Sequence, residues 1–395
     1  MFRQNLKIIL IICLISSLGR FVLDSYLPSL PAISHYFMIS DKRTQLTLTL
    51  YLLGFSLSQL IYGPLSDRYG RRTIILIGLG IFLTGSLICT LALSPMILLL
   101  SRLVAGIGAG ACGVLNRAIA SDCFKGADFS QAWSYTTSAL VLTLVFAPIL
   151  GGYVQDVLGW RGNFFIATIF VIAVFIIILQ FLPETKNSLT QPNLKIRAVI
   201  VSYYRILFSK TFFMCTLCYT LAFSGLILYF QISPLLFINV YGLTATQYGW
   251  SSLVIAGSYL VGGILVTKLA HHLSIQALLF IGTILLISGG VMMLLAYYCN
   301  QAYLLAVLLP AAVYVLGARI VIPNAIAGSM EEFRHLNGSS SALIGCIQML
   351  GSSMISLLIT NFSYKTPYPL GLFLTVLGLL SLTVVFFIKQ HRVPC

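Results

Sequence analysis

The chain has 395 residues, of which 59% are hydrophobic and only 8% charged. Soluble domains carry about 25% charged residues, so this composition cannot supply a water-compatible surface and excludes an ordinary globular protein. The net charge of +14, from 23 Lys and Arg against 9 Asp and Glu, would suggest nucleic acid in a soluble chain. Here the cations gather in short polar intervals between apolar runs, where they set membrane orientation, and no nucleic-acid partner is expected.

A helix needs about 20 apolar residues to cross a bilayer, and the sequence offers 12 such runs in succession. They are predicted at 8–28, 44–64, 73–93, 96–121, 131–154, 162–182, 211–236, 246–268, 276–297, 302–326, 338–361 and 368–388. The longest polar interval, 183–210, holds Glu184, Lys186, Lys195, Arg197, Arg205 and Lys210. The expected fold is therefore an all-α membrane protein with 12 transmembrane helices. Two six-helix halves, 1–182 and 211–395, flank a linker at 183–210. With the N-terminus inside, the outer intervals carry only Lys42, Arg43, Arg161 and Lys365. The inner ones carry the bulk of the cations, among them Arg68, Arg71, Arg72, Lys125, Lys195, Lys268, Arg334, Lys389 and Arg392. That bias places both termini and the linker in the cytoplasm.

The first run follows Arg3 and Lys7, a pattern shared with signal peptides. Arg20 and Asp24 interrupt it and no small-x-small site follows, so it is expected to be retained as the first span. Of the nine acids, only Asp24 lies well inside a span. An ionised group at mid-bilayer costs roughly 2.5–3.5 kcal/mol on insertion scales, so such residues usually line a wet cavity. Arg20 precedes Asp24 by four residues, which puts both on one helix face and within reach of an ion pair. While closed, that pair would make Asp24 a poorer proton carrier.

Between the second and third spans, Gly63 to Arg72 reads GPLSDRYGRR, a charge-dense turn. It resembles the signature loop of the major facilitator superfamily, Gly-x-Leu-x-Asp-Arg-x-Gly-Arg-(Lys/Arg). Gly63, Leu65, Asp67, Arg68, Gly70, Arg71 and Arg72 fall in register. In that superfamily the turn is linked to a cytoplasmic gate, and here Asp67, Arg71 and Asp122 would form its charge cluster, with Arg117 nearby. Asp67 would also cap a neighbouring helix N-terminus. Two hundred positions on, Gly263 to His272 reads GILVTKLAHH, a weakened copy that agrees with an internal duplication.

Arg102 opens the fourth span. It lies six residues inside the span from about Met96, and Asp24 lies six residues inside the outer end near Leu30. Both are then ~9 Å below the outer boundary at ~1.5 Å per residue. They either face each other across a central cavity or pair locally as struts. Arg102, Gly106 and Gly108 resemble the superfamily's second motif. The string Gly108-x-Gly110-x-x-Gly113 also fits a dinucleotide fingerprint, but no strand precedes it and it lies inside an apolar span. Small residues there serve close helix packing.

Pro148, Gly151 and Gly152 in the fifth span resemble the exporter motif of the superfamily, with Ala147 where its first Gly stands. Proline kinks a helix by removing a backbone donor. The strings LDSYLPSLP from Leu23, RAIASD from Arg117, GWRGNF from Gly159, SPLLF from Ser233, PNAIA from Pro323 and SSSALIGCIQ from Ser339 are similar to the bicyclomycin and chloramphenicol resistance branch (Bcr/CflA). The resemblance implies proton-coupled export of small molecules from a bacterial cytoplasm across the inner membrane, by alternating access in a monomer.

Asp24, Arg20 and Arg102 are the expected coupling residues, and Tyr26, Tyr229 and Phe230 the expected cavity lining. Export of a single endogenous metabolite such as a siderophore shares all these motifs. Proton-coupled import is disfavoured by Pro148, Gly151 and Gly152. An embedded enzyme is disfavoured because His35, His271, His272, His335 and His391 all fall in loops or tails. Cys215 and Cys218 form a lone C-x-x-C inside an apolar run, and no metal or cofactor is expected.

Overall fold

The computed structural model describes residues 2–186, 196–270, 272–299, 303–333, 337–362 and 364–388. The expected inner cations Lys195, Arg334, Lys389 and Arg392, and His271, His335 and His391, lie outside the described residues. In chain order the helices are α1 (Phe2–Ser25), α2 (Leu30–Phe37), α3 (Asp41–Tyr69), α4 (Arg71–Thr90), α5 (Pro95–Cys123), α6 (Gly126–Phe181) and α7 (Ile196–Leu207). They continue as α8 (Lys210–Pro234), α9 (Ala245–Leu269), α10 (Ile275–Tyr298), α11 (Leu305–Met330), α12 (Asn337–Ile359) and α13 (Tyr368–Phe387). The protein is all-helical, with no strand among the described residues.

Among the described residues, eleven helical stretches are long and apolar enough to cross a membrane. One of them, Gln131–Phe181, has 51 residues, ~75 Å if straight against a hydrocarbon core of ~30 Å. It breaks at Gly159, whose φ of 71° and ψ of −177° are not helical, so its two limbs supply the fifth and sixth predicted spans. The reversal expected over 155–161 is concentrated in that residue.

Two other predicted boundaries shift for similar reasons. The chain does not leave the first span near Leu30. A short 3-10 turn, Leu27–Ser29, passes directly into α2, and Met38 with φ 52° ends it. Nor is Gly63–Arg72 a ten-residue turn. Helix α3 runs through Pro64 to Tyr69, and Gly70 alone, at φ 92°, turns the chain into α4. Charge density marks the end of the hydrocarbon rather than the end of the helix, because polar side chains are well solvated on a helix that projects beyond the bilayer. The polar linker likewise contains the amphipathic helix α7.

The chain forms two compact units. The first holds residues 1–200 with 243–252 and 341–350; the second holds 201–242, 253–340 and 351–395. In the first, α5 packs on α3 and α4, and α1 packs on α6. Glycines make these approaches possible: a Cβ on Gly106 would collide with the Tyr51 backbone, and one on Gly108 with Phe82. That is the small-residue packing expected where lipid offers no hydrophobic drive.

In the second unit, α10 packs on α11 and α13, and α8 on α11 and α13. Every residue from Cys218 to Pro234 of α8 is buried. Cys215 and Cys218 are part of that packing. Ser224 meets Ser352 at 2.9 Å, and Ser356 donates to Gln231 at 2.7 Å, hydrogen bonds that tie α8 to α12.

Candidate functional site

Gly70 brings the C-terminal end of α3 against the N-terminal turn of α4, and the charges of the signature string converge there. Arg71 is the hub. Its guanidinium contacts Asp67 at 2.7 Å, Asp122 of α5 at 2.9 Å and the Ser66 hydroxyl at 2.6 Å. Its side chain is only 12% exposed, whereas Asp67 is 49% and Asp122 23% exposed. The rigid fork serves the three partners from two separate nitrogens, Nη1 for Asp67 and Ser66 and Nε for Asp122, a geometry that the single ammonium nitrogen of lysine does not reproduce.

The α4 N-terminus is capped from a distance. The Glu184 carboxylate accepts the backbone N–H of Arg71 at 2.8 Å and of Arg72 at 3.2 Å. The helix dipole favours an anion at this place. Sequence reasoning assigned the capping to Asp67, but Asp67 is engaged with Arg71 and Glu184 does the capping. Lys186 donates to the Asp67 backbone carbonyl. Arg72 donates to Leu179 O at 2.6 Å, and the Arg68 guanidinium sits over the Tyr69 ring at 5.0 Å. Gly63 lies within α3, where a Cβ would make ordinary contact with Ala342 and Val114. Arg117 donates to the Ser341 hydroxyl at 3.1 Å and stacks on Trp133 at 5.0 Å.

The intramembrane charges of this unit lie elsewhere. Arg20 Nε donates to Asp24 Oδ2 at 2.5 Å across one turn of α1. The Asp24 side chain is 1% exposed and Arg20 20%, and Asp24 Oδ1 has no hydrogen-bond partner. Asp24 and Arg102 make no ion pair. Arg20 is on the same helix face as the carboxylate and reaches it first, and aromatic rings enclose Arg102. The Arg102 guanidinium carbon is 4.2 Å from the Tyr26 ring centroid, 4.3 Å from Tyr51 and 5.8 Å from Phe164. The residue is fully buried, and none of its three side-chain nitrogens has a hydrogen-bond partner. Cation–π attraction strengthens when the cation is desolvated, which makes the cage a substitute for a counter-ion. Tyr51 also donates to Gly19 O at 3.1 Å, so it links α3 to α1 close to the ion pair.

The proline–glycine string of α6 touches the same region. A Cβ on Gly151 would collide with the backbone carbonyl of Ser25, the residue after Asp24. The Gly151 carbonyl accepts from Asn163 Nδ2 at 2.9 Å, and the same amide donates to Ser29 Oγ at 2.8 Å. A Cβ on Gly152 would collide with the Ala245 backbone, and one on Gly249 would lie 2.6 Å from Pro148 O. Beyond them, Asp156 accepts from Thr246 N at 3.0 Å and Thr246 Oγ1 at 2.6 Å, capping the first turn of α9. In the second unit, Tyr229 and Phe230 are both buried, with rings 5.4 Å apart.

Residues 9–356 match the family described as Major Facilitator Superfamily. The chain belongs to this superfamily. It is a multi-span membrane transporter, not an enzyme, and its relatives fit the bicyclomycin and chloramphenicol resistance branch. Multidrug resistance protein D of Escherichia coli is 26% identical over 379 residues, 96% of this chain and 94% of that protein. The Bicyclomycin resistance protein homolog of Haemophilus influenzae is 22% identical over 384 residues, 97% and 96% of the two chains. The Chloramphenicol resistance protein of Pseudomonas aeruginosa is 27% identical over 376 residues, 93% and 87%. A crystal structure of a D-xylose-proton symporter superposes with a TM-score of 0.78 at 15% identity, covering 95% and 97%; at that identity it shows the fold alone.

Several residues of these superfamily sites carried no sequence signal. Glu184 caps α4 from 113 positions away in sequence, and Tyr51 looks like any core aromatic until Arg102 is placed beside it. Asn163 and Phe164 were within reach, since both lie in the GWRGNF string.

Proposed function

We propose that this protein is a proton-coupled secondary transporter that exports small, drug-like molecules from the cytoplasm across a bacterial inner membrane by alternating access. The observation that carries the reading is the Arg20–Asp24 pair: the one carboxylate well inside a span is sealed, held by a cation that itself reaches accessible space. Opening that pair exposes Asp24 to a proton or to cargo, so the two compete for one site. Arg102, fixed within its aromatic cage, keeps a positive potential beside the carboxylate and biases which occupant leaves. One charge moving through 100 mV is worth about 2.3 kcal/mol before any pH gradient, enough to drive uphill export.

The resistance named in the bicyclomycin and chloramphenicol relatives supports antibiotic-like cargo. The Asp67–Arg71–Asp122 network then serves as the lock of a cytoplasmic gate, with both termini on the cytoplasmic side, as the positive-inside bias requires. Gly151 and Gly152, tight against neighbouring backbones, are where α6 slides as access alternates. The transporter works as a monomer in the lipid bilayer.

The test is chloramphenicol uptake into everted vesicles under an imposed pH gradient, acidic inside. The wild type accumulates drug and dissipates the gradient. Asp24→Asn, inserted at wild-type levels, does neither. Full pH-driven uptake by Asp24→Asn would remove the carboxylate from the mechanism.

A further inference from the structure

The second unit contains an intramembrane charge that no part of this mechanism uses. Arg319 sits in α11, eleven residues before Met330, which is ~16 Å along the axis and therefore deep within the bilayer. The sequence has no Asp or Glu between Lys210 and Met330, and the first acids beyond are Glu331 and Glu332 at the helix end, too far along the axis to pair with it. Arg319 makes no ion pair among the described residues, and its Nε is buried without a hydrogen-bond partner.

The surroundings hold the group open for a partner. The guanidinium carbon lies 4.7 Å from the Tyr259 ring centroid, so one planar face is covered by an aromatic. Gly262 and Gly263 of α9 make the room. A Cβ on Gly262 would come within 2.9 Å of Arg319 Cβ, and one on Gly263 within 3.3 Å of Nε and 3.5 Å of Nη2. Most of α11 is buried; among the positions that are not, Leu309, Val313, Leu316, Arg319, Pro323 and Ile326 recur every three or four residues. They form one accessible stripe with Arg319 at its centre. Had that stripe faced lipid, the guanidinium N–H groups would stand unsatisfied in hydrocarbon. Charged side chains at this depth almost always face the bundle interior or a water-filled cavity.

We propose that Arg319 is a binding residue for an anionic group on the cargo, a carboxylate or sulfonate attached to an aromatic body. The planar fork of Arg matches a carboxylate through two parallel N–H···O bonds. Tyr259 fixes the plane of the fork and offers a face on which the cargo's ring can stack. The export reading concerns Asp24 in the first unit. This inference rests on that reading for the word cargo and adds one chemical class beside neutral drugs such as chloramphenicol: compounds whose negative charge is held at a second, separate polar contact.

The experiment is equilibrium binding to the purified full-length protein in detergent, with nalidixic acid, a carboxylate, and its methyl ester as probes. Wild-type protein prefers the acid. Arg319→Gln lowers the acid-to-ester affinity ratio by about tenfold or more, and Arg319→Lys, which keeps the charge but not the fork, lowers it by about threefold. Removing a costly mid-membrane cation leaves the melting temperature of Arg319→Gln unchanged or higher. The proposal is overturned if wild type shows no preference for the acid. It is equally overturned if Arg319→Gln lowers affinity for both probes alike together with the melting temperature, the behaviour of a structural strut. Neither readout needs a proton gradient, so failure of chloramphenicol transport in vesicles would sink the export reading and leave this one standing on its own binding data.

Discussion

Arg20 and Asp24 occupy consecutive turns of one face of α1 and close an ion pair at 2.5 Å, while Arg102 is held apart by the rings of Tyr26 and Tyr51. Two cations and one carboxylate thus lie within one helical bundle without forming a triad. The carboxylate is committed to the cation that is partly accessible, and the fully buried cation is committed to aromatic faces. Such an arrangement stores its charges in two separable places: the pair is internal to α1, so a change of the Arg20 side-chain rotamer opens it without displacing Arg102 from the rings of Tyr26 and Tyr51.

Removing one member of a buried pair leaves an uncompensated charge, which typically costs about 3–5 kcal/mol. Arg20 is 20% exposed, so Arg20→Met is expected to cost somewhat less than that range, about 2–3 kcal/mol after discounting for screening. The double variant Arg20→Met with Asp24→Asn recovers most of the loss. Thermal melting of the four proteins in detergent completes the cycle. Additive losses would mean that the pair contributes nothing as a pair.

The twelve spans were legible because apolar length decides membrane crossing and few other signals compete with it. The site was legible where charge or spacing was local: the four-residue separation of Arg20 and Asp24 already puts them on one face, and the signature string brings Asp67 and Arg71 within one turn. Helix ends were less legible. Pro64 and the charges after it read as a turn, yet α3 continues to Tyr69, since a helix leaving the bilayer gains water for its polar side chains. Long-range partners were hidden altogether. Nothing local connects Glu184 with the α4 N-terminus, or marks Tyr51 rather than a neighbouring aromatic as the wall of the Arg102 cage.

Gly151 is expected to tolerate no side chain. A Cβ there would overlap the Ser25 backbone beside Asp24, and overpacking of this kind costs about 1–3 kcal/mol. At Gly80 of α4 an added Cβ would meet nothing within 4 Å, so Gly80→Ala is the control and should gain about 0.5–1 kcal/mol from helix propensity. Vesicle transport and melting temperature measured on both variants check the contrast. Equal behaviour of the two would remove Gly151 from the moving contact.

Gly70→Ala meets two penalties together. The backbone there is at φ 92° and ψ 152°, a region essentially confined to glycine where a Cβ is strained by about 1–3 kcal/mol, and the added carbon would lie 2.7 Å from the Glu184 carboxyl carbon. Glu184→Gln alone weakens the α4 cap by about 0.3–1 kcal/mol. Because the Ala side chain displaces the same carboxylate, the two substitutions should combine to less than their sum. A fully additive double variant, read by thermal melting, would show that Glu184 does not contact the α4 N-terminus.

Arg71→Lys tests the hub of the turn. Lysine keeps the charge but has one nitrogen where Arg71 uses Nη1 and Nε, so the cluster is expected to lose at least one of its three contacts. If the cluster locks one face of the transporter, Arg71→Lys and Asp67→Asn lower turnover about tenfold while drug affinity changes less than about threefold. Transport rates in vesicles and equilibrium binding in detergent separate the two quantities. The split matters because solvent screening makes half-exposed ion pairs weak contributors to stability, typically about 0–1 kcal/mol, and Asp67 is 49% exposed. A large effect on turnover with a small effect on melting temperature therefore identifies a contact that differs between conformations. A variant with normal turnover would reduce the cluster to surface charge.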